Sequence, residues 1–193
     1  MPANWIQTFT GRHIQVLHPE HHRPDDIDIR DIFWSLSGIN RYNAHGRRTY
    51  TVGEHTLRVV NMVPEDDKAH ALFHDGSEAY IGDITRPLKV SPEFAAYRAL
   101  EERWMAFIYV RFGLSTTMPA SVKAADNYAI VEESRVLMNA SVADWDILNG
   151  EYDWLDGLTS AGGKPCYFPV PVEEPPRHRV YQDLLDTFHE LRL

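Results

Sequence analysis

The sequence predicts a mostly α-helical single domain with a small N-terminal β-hairpin. Three observations lead there. Apolar residues recur at helical spacing in segments such as Ile29–Leu36, Phe94–Ile108 and Val180–Leu191. Strand-like character is confined to the residues before His18, and capping or stop signals punctuate the rest. A chain of 193 residues with 44% apolar content is long enough for one full core and short for two.

Residues 5–9 and 13–17 read as the two strands, with Gly11 supplying the turn. His18 to Asp26 is polar and proline-punctuated, hence a loop. Asp28 reads as the N-cap of a helix whose Ile29, Ile32, Phe33 and Leu36 share a face, and Gly38 stops it. A second helix runs from Thr51 to Met62 and closes before Pro64. A third is capped by Asp66 or Asp67 and reaches Ile81, ahead of Gly82. Ser91-Pro92-Glu93 opens a fourth that ends at Phe112–Gly113, because proline suits the first helical position. Met118 to about Ala140 forms a fifth, and His178 to Leu191 a last. The Gly- and Pro-rich stretch from Asn149 to Pro176 is a loop. The domain spans 1–193, with its core over about 5–140 and a C-terminal loop and helix over 141–193.

Composition excludes several classes. Lys plus Arg number 19 against 28 Asp plus Glu, a net charge of −9, which disfavours coating an extended nucleic acid. The single cysteine, Cys166, excludes an internal disulfide framework and a cysteine-based zinc knuckle. The longest apolar run, Trp104 to Val110, is far too short to span a bilayer, and no signal peptide is expected. A cytoplasmic protein without a membrane partner is therefore the expectation. There is no Gly-x-Ser-x-Gly elbow, Gly-x-Gly-x-x-Gly or His-Glu-x-x-His. The run Gly157 to Pro165 has one residue too many before Lys164 for a P-loop, and Pro165 where a hydroxyl should hold magnesium.

The chain holds ten histidines. His18-Pro-Glu-His21-His22 reads as a solvated polar loop, and His13, His70, His178 and His189 as structural or surface residues. His74-Asp75 differs, because it follows Ala71-Leu72-Phe73 in a helical, apolar setting. Buried ionisable residues are costly unless paired or metal-bound. Adjacent helical residues project about 100° apart, so both can meet one ion between helices. The dipeptide alone is better accounted for by an aspartate network at a helix N-terminus or a buried His–Asp pair. His55 and Asp126 shift the balance, being polar residues in packed helical segments, the latter beside small alanines. Two imidazoles and two carboxylates suit a divalent transition ion with open positions.

The segments carrying these residues extend the pattern. Tyr50-Thr-Val-Gly-Glu-His55, Ala71-Leu-Phe-His-Asp-Gly-Ser-Glu78, Gly82-Asp-Ile-Thr-Arg-Pro-Leu-Lys89 and Val122-Lys-Ala-Ala-Asp126 together resemble the HD-domain phosphohydrolases. Within that family they resemble the branch of bacterial 5′-deoxynucleotidases, with phage dATP triphosphohydrolases nearby. The resemblance covers about Trp5 to Met138 and implies an HD-type helical bundle. It implies that His55, His74, Asp75 and Asp126 bind one divalent transition metal ion: manganese, cobalt, iron or zinc. It implies that Glu78 orients or deprotonates the attacking water, with Asp83 as acid or supporting partner. Arg41-Tyr42 matches the substrate-contacting arginine-aromatic pair, with tyrosine where tryptophan is usual. It further implies a homo-oligomer, dimeric or larger.

Charge patterning points the same way independently of the resemblance. From Ile32 to Gly53 no acidic residue occurs, while Arg41, His45, Arg47 and Arg48 cluster, a basic island suited to phosphate. Lys123 lies three residues before Asp126 on the same helical face, and Lys89 is a further phosphate candidate. No histidine occurs between His74 and His178, which favours a single ion over a two-metal site. The expected reaction is metal-dependent hydrolysis of a nucleotide phosphate ester, led by 5′-nucleotidase action on (deoxy)nucleoside monophosphates. The alternatives are a dNTP triphosphohydrolase and a non-catalytic nucleotide-binding module.

Overall fold

The computed structural model describes residues 4–138, 170, 171 and 173–193. Among these the chain is mostly helical, with one two-stranded antiparallel sheet at the front. Strands β1 (Ile6–Gln7) and β2 (His13–Ile14) pair with Ile6 opposite Ile14. They are shorter than the alternation suggests because the hairpin tip is pulled onto the first helix. The buried Asp31 carboxylate accepts from Thr8 Oγ1 at 2.8 Å, Thr10 N at 2.6 Å and Thr10 Oγ1 at 2.8 Å. The polar loop that follows contains two short 3-10 turns, Pro19–His21 and Pro24–Asp26.

Helix α1 (Ile29–Leu36) begins as expected, with Asp28 accepting from Arg30 N, and buries Ile32, Phe33 and Leu36. The basic segment that follows is closed at its base by an isolated bridge between Asn40 and Thr51. Helix α2 (Val52–Met62) then starts with a full capping box. Thr51 Oγ1 accepts from Glu54 N, and Glu54 Oε2 accepts from Thr51 N at 3.0 Å. This helix lies at the centre of the bundle, against α1 and the helices Lys68–Phe73, Ala120–Leu137 and Arg177–Glu190.

The third predicted helix is broken. Helix α3 (Lys68–Phe73) stops at His74, and a separate turn of helix, α4 (Glu78–Ile81), follows. The carbonyl that would accept from Asp75 N in a continuous helix, that of Ala71, is taken by the His74 ring at 2.7 Å. The backbone tightens instead to Gly76 N→Phe73 O and Glu78 N→Asp75 O. The predicted cap is also redirected, since Asp67 accepts from Ser121 Oγ across the bundle. A further single turn, α5 (Arg86–Lys89), precedes α6 (Ala95–Arg111), which is entered through a 3-10 turn at Pro92–Phe94. Helix α7 (Ala120–Leu137) and the C-terminal α8 (Arg177–Glu190) complete the bundle. The 157–165 run, Cys166 and most of the expected 149–176 loop lie outside the described residues. No helix among the described residues is long and apolar enough to cross a membrane.

Aromatic stacking fixes the core around these elements. Phe73 stacks on Phe112 at 4.3 Å, and Tyr80 on the fully buried Trp104 at 4.3 Å. Helix α8 covers α1 and α2, with the Arg177 guanidinium 4.2 Å from the Trp34 ring centre. Its approach to α2 depends on Gly53, where an added Cβ would sit 2.8 Å from Val180 Cγ1 and 3.1 Å from Leu184 Cδ1.

Gly53→Ala therefore sets an overpacking cost of about 1–3 kcal/mol against about 1 kcal/mol of helix propensity. The urea midpoint is expected to fall. A raised midpoint would show that α8 does not press on this position.

Candidate metal centre

Two helices and one turn bring the centre together. Helix α2 contributes His55, fully buried; the turn after α3 contributes His74 and Asp75; α7 contributes Asp126 and, seven residues on, Glu133. Buried Ala124, Ala125 and Ala129 on α7 are small enough to bring its backbone close to α2. His55 Nε2 lies 3.2 Å from His74 Nε2, 3.2 Å from Asp126 Oδ1 and 3.8 Å from Asp75 Oδ2. His74 Nε2 lies 3.2 Å from Asp75 Oδ2. One donor atom each from His55, His74 and Asp75 falls within 4.8 Å of the others, a group that can hold a metal ion.

The ring tautomers follow from the partners. His74 Nδ1 donates to the Ala71 carbonyl, which can only accept. His55 Nδ1 donates to Glu133 Oε1 at 2.7 Å, both groups being fully buried. With both Nδ1 atoms committed as donors, the two Nε2 atoms face each other, Asp75 completes a group of three with them, and Asp126 Oδ1 approaches from the His55 side. Such a donor set fits a divalent cation, and imidazoles held through their second nitrogen are the usual form of metal-ligating histidine.

The charges reinforce that reading. Burial and Arg41 depress the His55 pKa, but the Glu133 and Asp126 carboxylates outweigh them and hold it at about 9. Burial raises Asp75 and Asp126, yet the facing imidazoles, and Lys123 for Asp126, bring both carboxyls below the usual range. Glu78 behaves oppositely. Burial, and then the Asp75 and Asp83 carboxylates, push it well above the ordinary range, and its buried Oε2 has no hydrogen-bond partner among the described residues. Asp83, mostly buried near the same carboxylates, is also raised, although Arg41 and Lys89 pull it down.

Of the expected substrate residues, Arg41 reaches furthest in. Its Nη1 is 3.5 Å from Asp75 Oδ2 and its Nε 3.4 Å from Glu133 Oε2. Tyr42 OH donates to Glu133 Oε2 at 2.9 Å. Tyr42, Asn43 and Ala44 all have left-handed φ values, 55°, 53° and 60°. Three non-glycine residues in that region store backbone strain, held here by Tyr42 and by Arg47 N→Leu137 O at 2.7 Å. His45 and the Arg47 side chain are exposed on this turn. Arg48 has a structural use, binding Glu54 Oε1 at 2.8 Å and Pro171 O at 3.0 Å. Lys89 Nζ is held by Glu101 at 2.5 Å, and Lys123 Nζ by Asp126 Oδ2 at 2.9 Å.

Glu133 is the member of this site that sequence reasoning missed. Its one sequence signal is the seven-residue interval from Asp126, two helical turns, which places both on one face. The polar loop behaves as expected. His18, Glu20 and His21 do approach one another, but at the surface, with His21 and Glu20 bonded to Gln15 and Arg103.

Comparison with known proteins gives kinship. The uncharacterised protein YfdR of Escherichia coli (strain K12) is 36% identical over 148 residues, covering 76% of this chain and 80% of YfdR. The uncharacterised protein RCAP_rcc00048 of Rhodobacter capsulatus is 31% identical over 166 residues, covering 79% of this chain and 83% of that protein. This chain belongs to their family. No family model matches it.

The His55 proton must leave before its Nε2 can ligate, so metal affinity is linked to pH. The apparent affinity is expected to rise about tenfold per unit from pH 7 to 9 and level off above. Calorimetry in buffers of different ionisation enthalpy counts the proton directly. Affinity independent of pH over that range would show that His55 carries no proton there to be displaced.

Proposed function

We propose that this protein is a metal-dependent phosphohydrolase acting on small nucleotides, with a 5′-nucleotidase reaction on (deoxy)nucleoside monophosphates as its principal activity. The observation that carries the reading is the meeting of the His55 and His74 Nε2 atoms with Asp75 and, on the His55 side, Asp126, beside the Arg41 guanidinium and a buried Glu78 oxygen that has no hydrogen-bond partner among the described residues. Structural ion pairs have no need of two imidazole Nε2 atoms 3.2 Å apart or of an orphaned carboxyl. A catalytic site uses both. The sequence resemblance to HD-domain phosphohydrolases supports the same ligand set and the same role for Glu78.

The residues divide the work. His55, His74, Asp75 and Asp126 would hold one divalent transition ion. When bound, that ion supplies Lewis acidity, which polarises a phosphoryl oxygen and makes water nucleophilic at neutral pH. Glu78 has the raised pKa suited to accepting a proton from water and returning it to a leaving oxygen. Asp83, also raised, backs Glu78 as a second proton-holding group. Arg41 presents a guanidinium that can exchange its long contact with Asp75 for phosphate oxygens, offsetting the charge that develops there. Tyr42 steadies Arg41 through Glu133. Lys89 and Lys123 add positive charge at the rim, and His45 and Arg47 are placed to meet the exposed part of a nucleotide. The same reading makes this a cytoplasmic protein assembled as a dimer or larger, with a nucleotide as its partner.

The test is phosphate release from a panel of dNMPs, NMPs and dNTPs with manganese, cobalt, iron or zinc supplied in turn. Orthophosphate from monophosphates is the expected product. Intact triphosphate from dNTPs would identify a triphosphohydrolase instead, and stoichiometric metal without any turnover a binding module. Glu78→Gln is expected to keep the metal and lose about 10²–10⁴-fold in kcat. Asp75→Ala is expected to lose both, and full hydrolysis by that variant would contradict the mechanism.

A further inference from the structure

Glu133 has more partners than any other buried carboxylate described here. Its Oε1 accepts from His55 Nδ1 at 2.7 Å and Tyr50 OH at 2.9 Å, and its Oε2 from Tyr42 OH at 2.9 Å, with Arg41 Nε at 3.4 Å. It is completely buried. Burial alone would raise its pKa, but His55 and Arg41 outweigh burial and keep it ionised. A buried carboxylate is costly, and fixing a ring orientation does not require one. His74 shows this within the same site, since a neutral backbone carbonyl orients its ring.

A full negative charge on Nδ1–H does something a carbonyl does less well. It increases electron density at the opposite nitrogen and so strengthens that nitrogen as a donor to a cation. Tyr42 and Tyr50 stabilise the charge without competing for the His55 proton, because each donates to Glu133. Resting on the metal centre proposed above, we propose that Glu133 is a positioning residue that fixes Nε2 as the ligating nitrogen of His55 and sets the affinity of the centre for its ion. This assigns a role to a residue seven positions beyond the last ligand, in direct contact with the Arg41–Tyr42 turn. The ion and the nucleotide-facing turn thereby share one anchor.

The test uses the full chain and Zn²⁺ as the probe. Glu133→Gln is nearly isosteric: its amide oxygen can still accept from His55, but the charge is gone. Competition with a chromophoric chelator is expected to show a 10–100-fold loss of Zn²⁺ affinity. NMR of ¹⁵N-histidine-labelled, zinc-loaded protein provides a readout that a packing role would not move. Wild type should show His55 metallated at Nε2, with a downfield Nδ1 proton. That proton should move upfield in Glu133→Gln, while the His74 signal stays in place.

Zn²⁺ affinity in Glu133→Gln within threefold of wild type would overturn the proposal. So would wild-type protein whose His55 binds Zn²⁺ through Nδ1, a result that holds even if the variant does not fold. Wild type that binds none of zinc, manganese, cobalt or iron would remove the metal centre itself, and this role with it.

Discussion

The structure turns on one electrostatic conflict. His55 and His74 direct their Nε2 atoms at each other across 3.2 Å, while their other ring nitrogens are committed as donors to Glu133 and to the Ala71 carbonyl. Two neutral imidazoles in these tautomers repel, and two carboxylates pointing to the same place add to the repulsion. A shared positive charge resolves it. A proton on His55 does so in part, consistent with its high pKa. A divalent cation does so for all four groups at once.

The scaffold imposes this arrangement through local backbone geometry. The His74 ring occupies the carbonyl that would have continued α3, so the chain turns and presents His74 and Asp75 together from a tight corner. Small residues on α7 bring Asp126 and Glu133 within reach of α2. The basic segment closes on the Asn40–Thr51 bridge, with Arg41 N bonded to Tyr50 O at 2.8 Å. That closure sends Arg41 inward and leaves His45 and Arg47 outside. Arg41 thus joins the buried carboxylates while His45 and Arg47 stay at the surface.

Much of this was legible from residues alone. Helix positions followed from caps and stops that the structure uses, such as Asp28 on α1 and Gly113, in a left-handed conformation, after α6. His55, His74, Asp75 and Asp126 stood out because each is polar where the surrounding pattern is apolar. Less legible were features set by long-range contacts. The break after Phe73 depends on a side chain capturing its own helix carbonyl, which no propensity describes. Asp67 had the look of a cap but found Ser121 on another helix. Glu133 follows another glutamate late in a helix, and nothing in its own neighbourhood marks it. Its significance comes from Tyr42, Tyr50 and His55, which lie 91, 83 and 78 positions away in sequence.

In the proposed centre two histidines, and two only, meet a single ion at the junction of α2, the turn after α3, and α7. X-ray absorption at the zinc edge of the loaded full-length protein tests it most directly. The account predicts one ion per chain, with two imidazole nitrogens at about 2.0–2.1 Å and oxygen donors filling the rest of the shell. A shell lacking imidazole, or one containing sulfur or a third histidine, would contradict it.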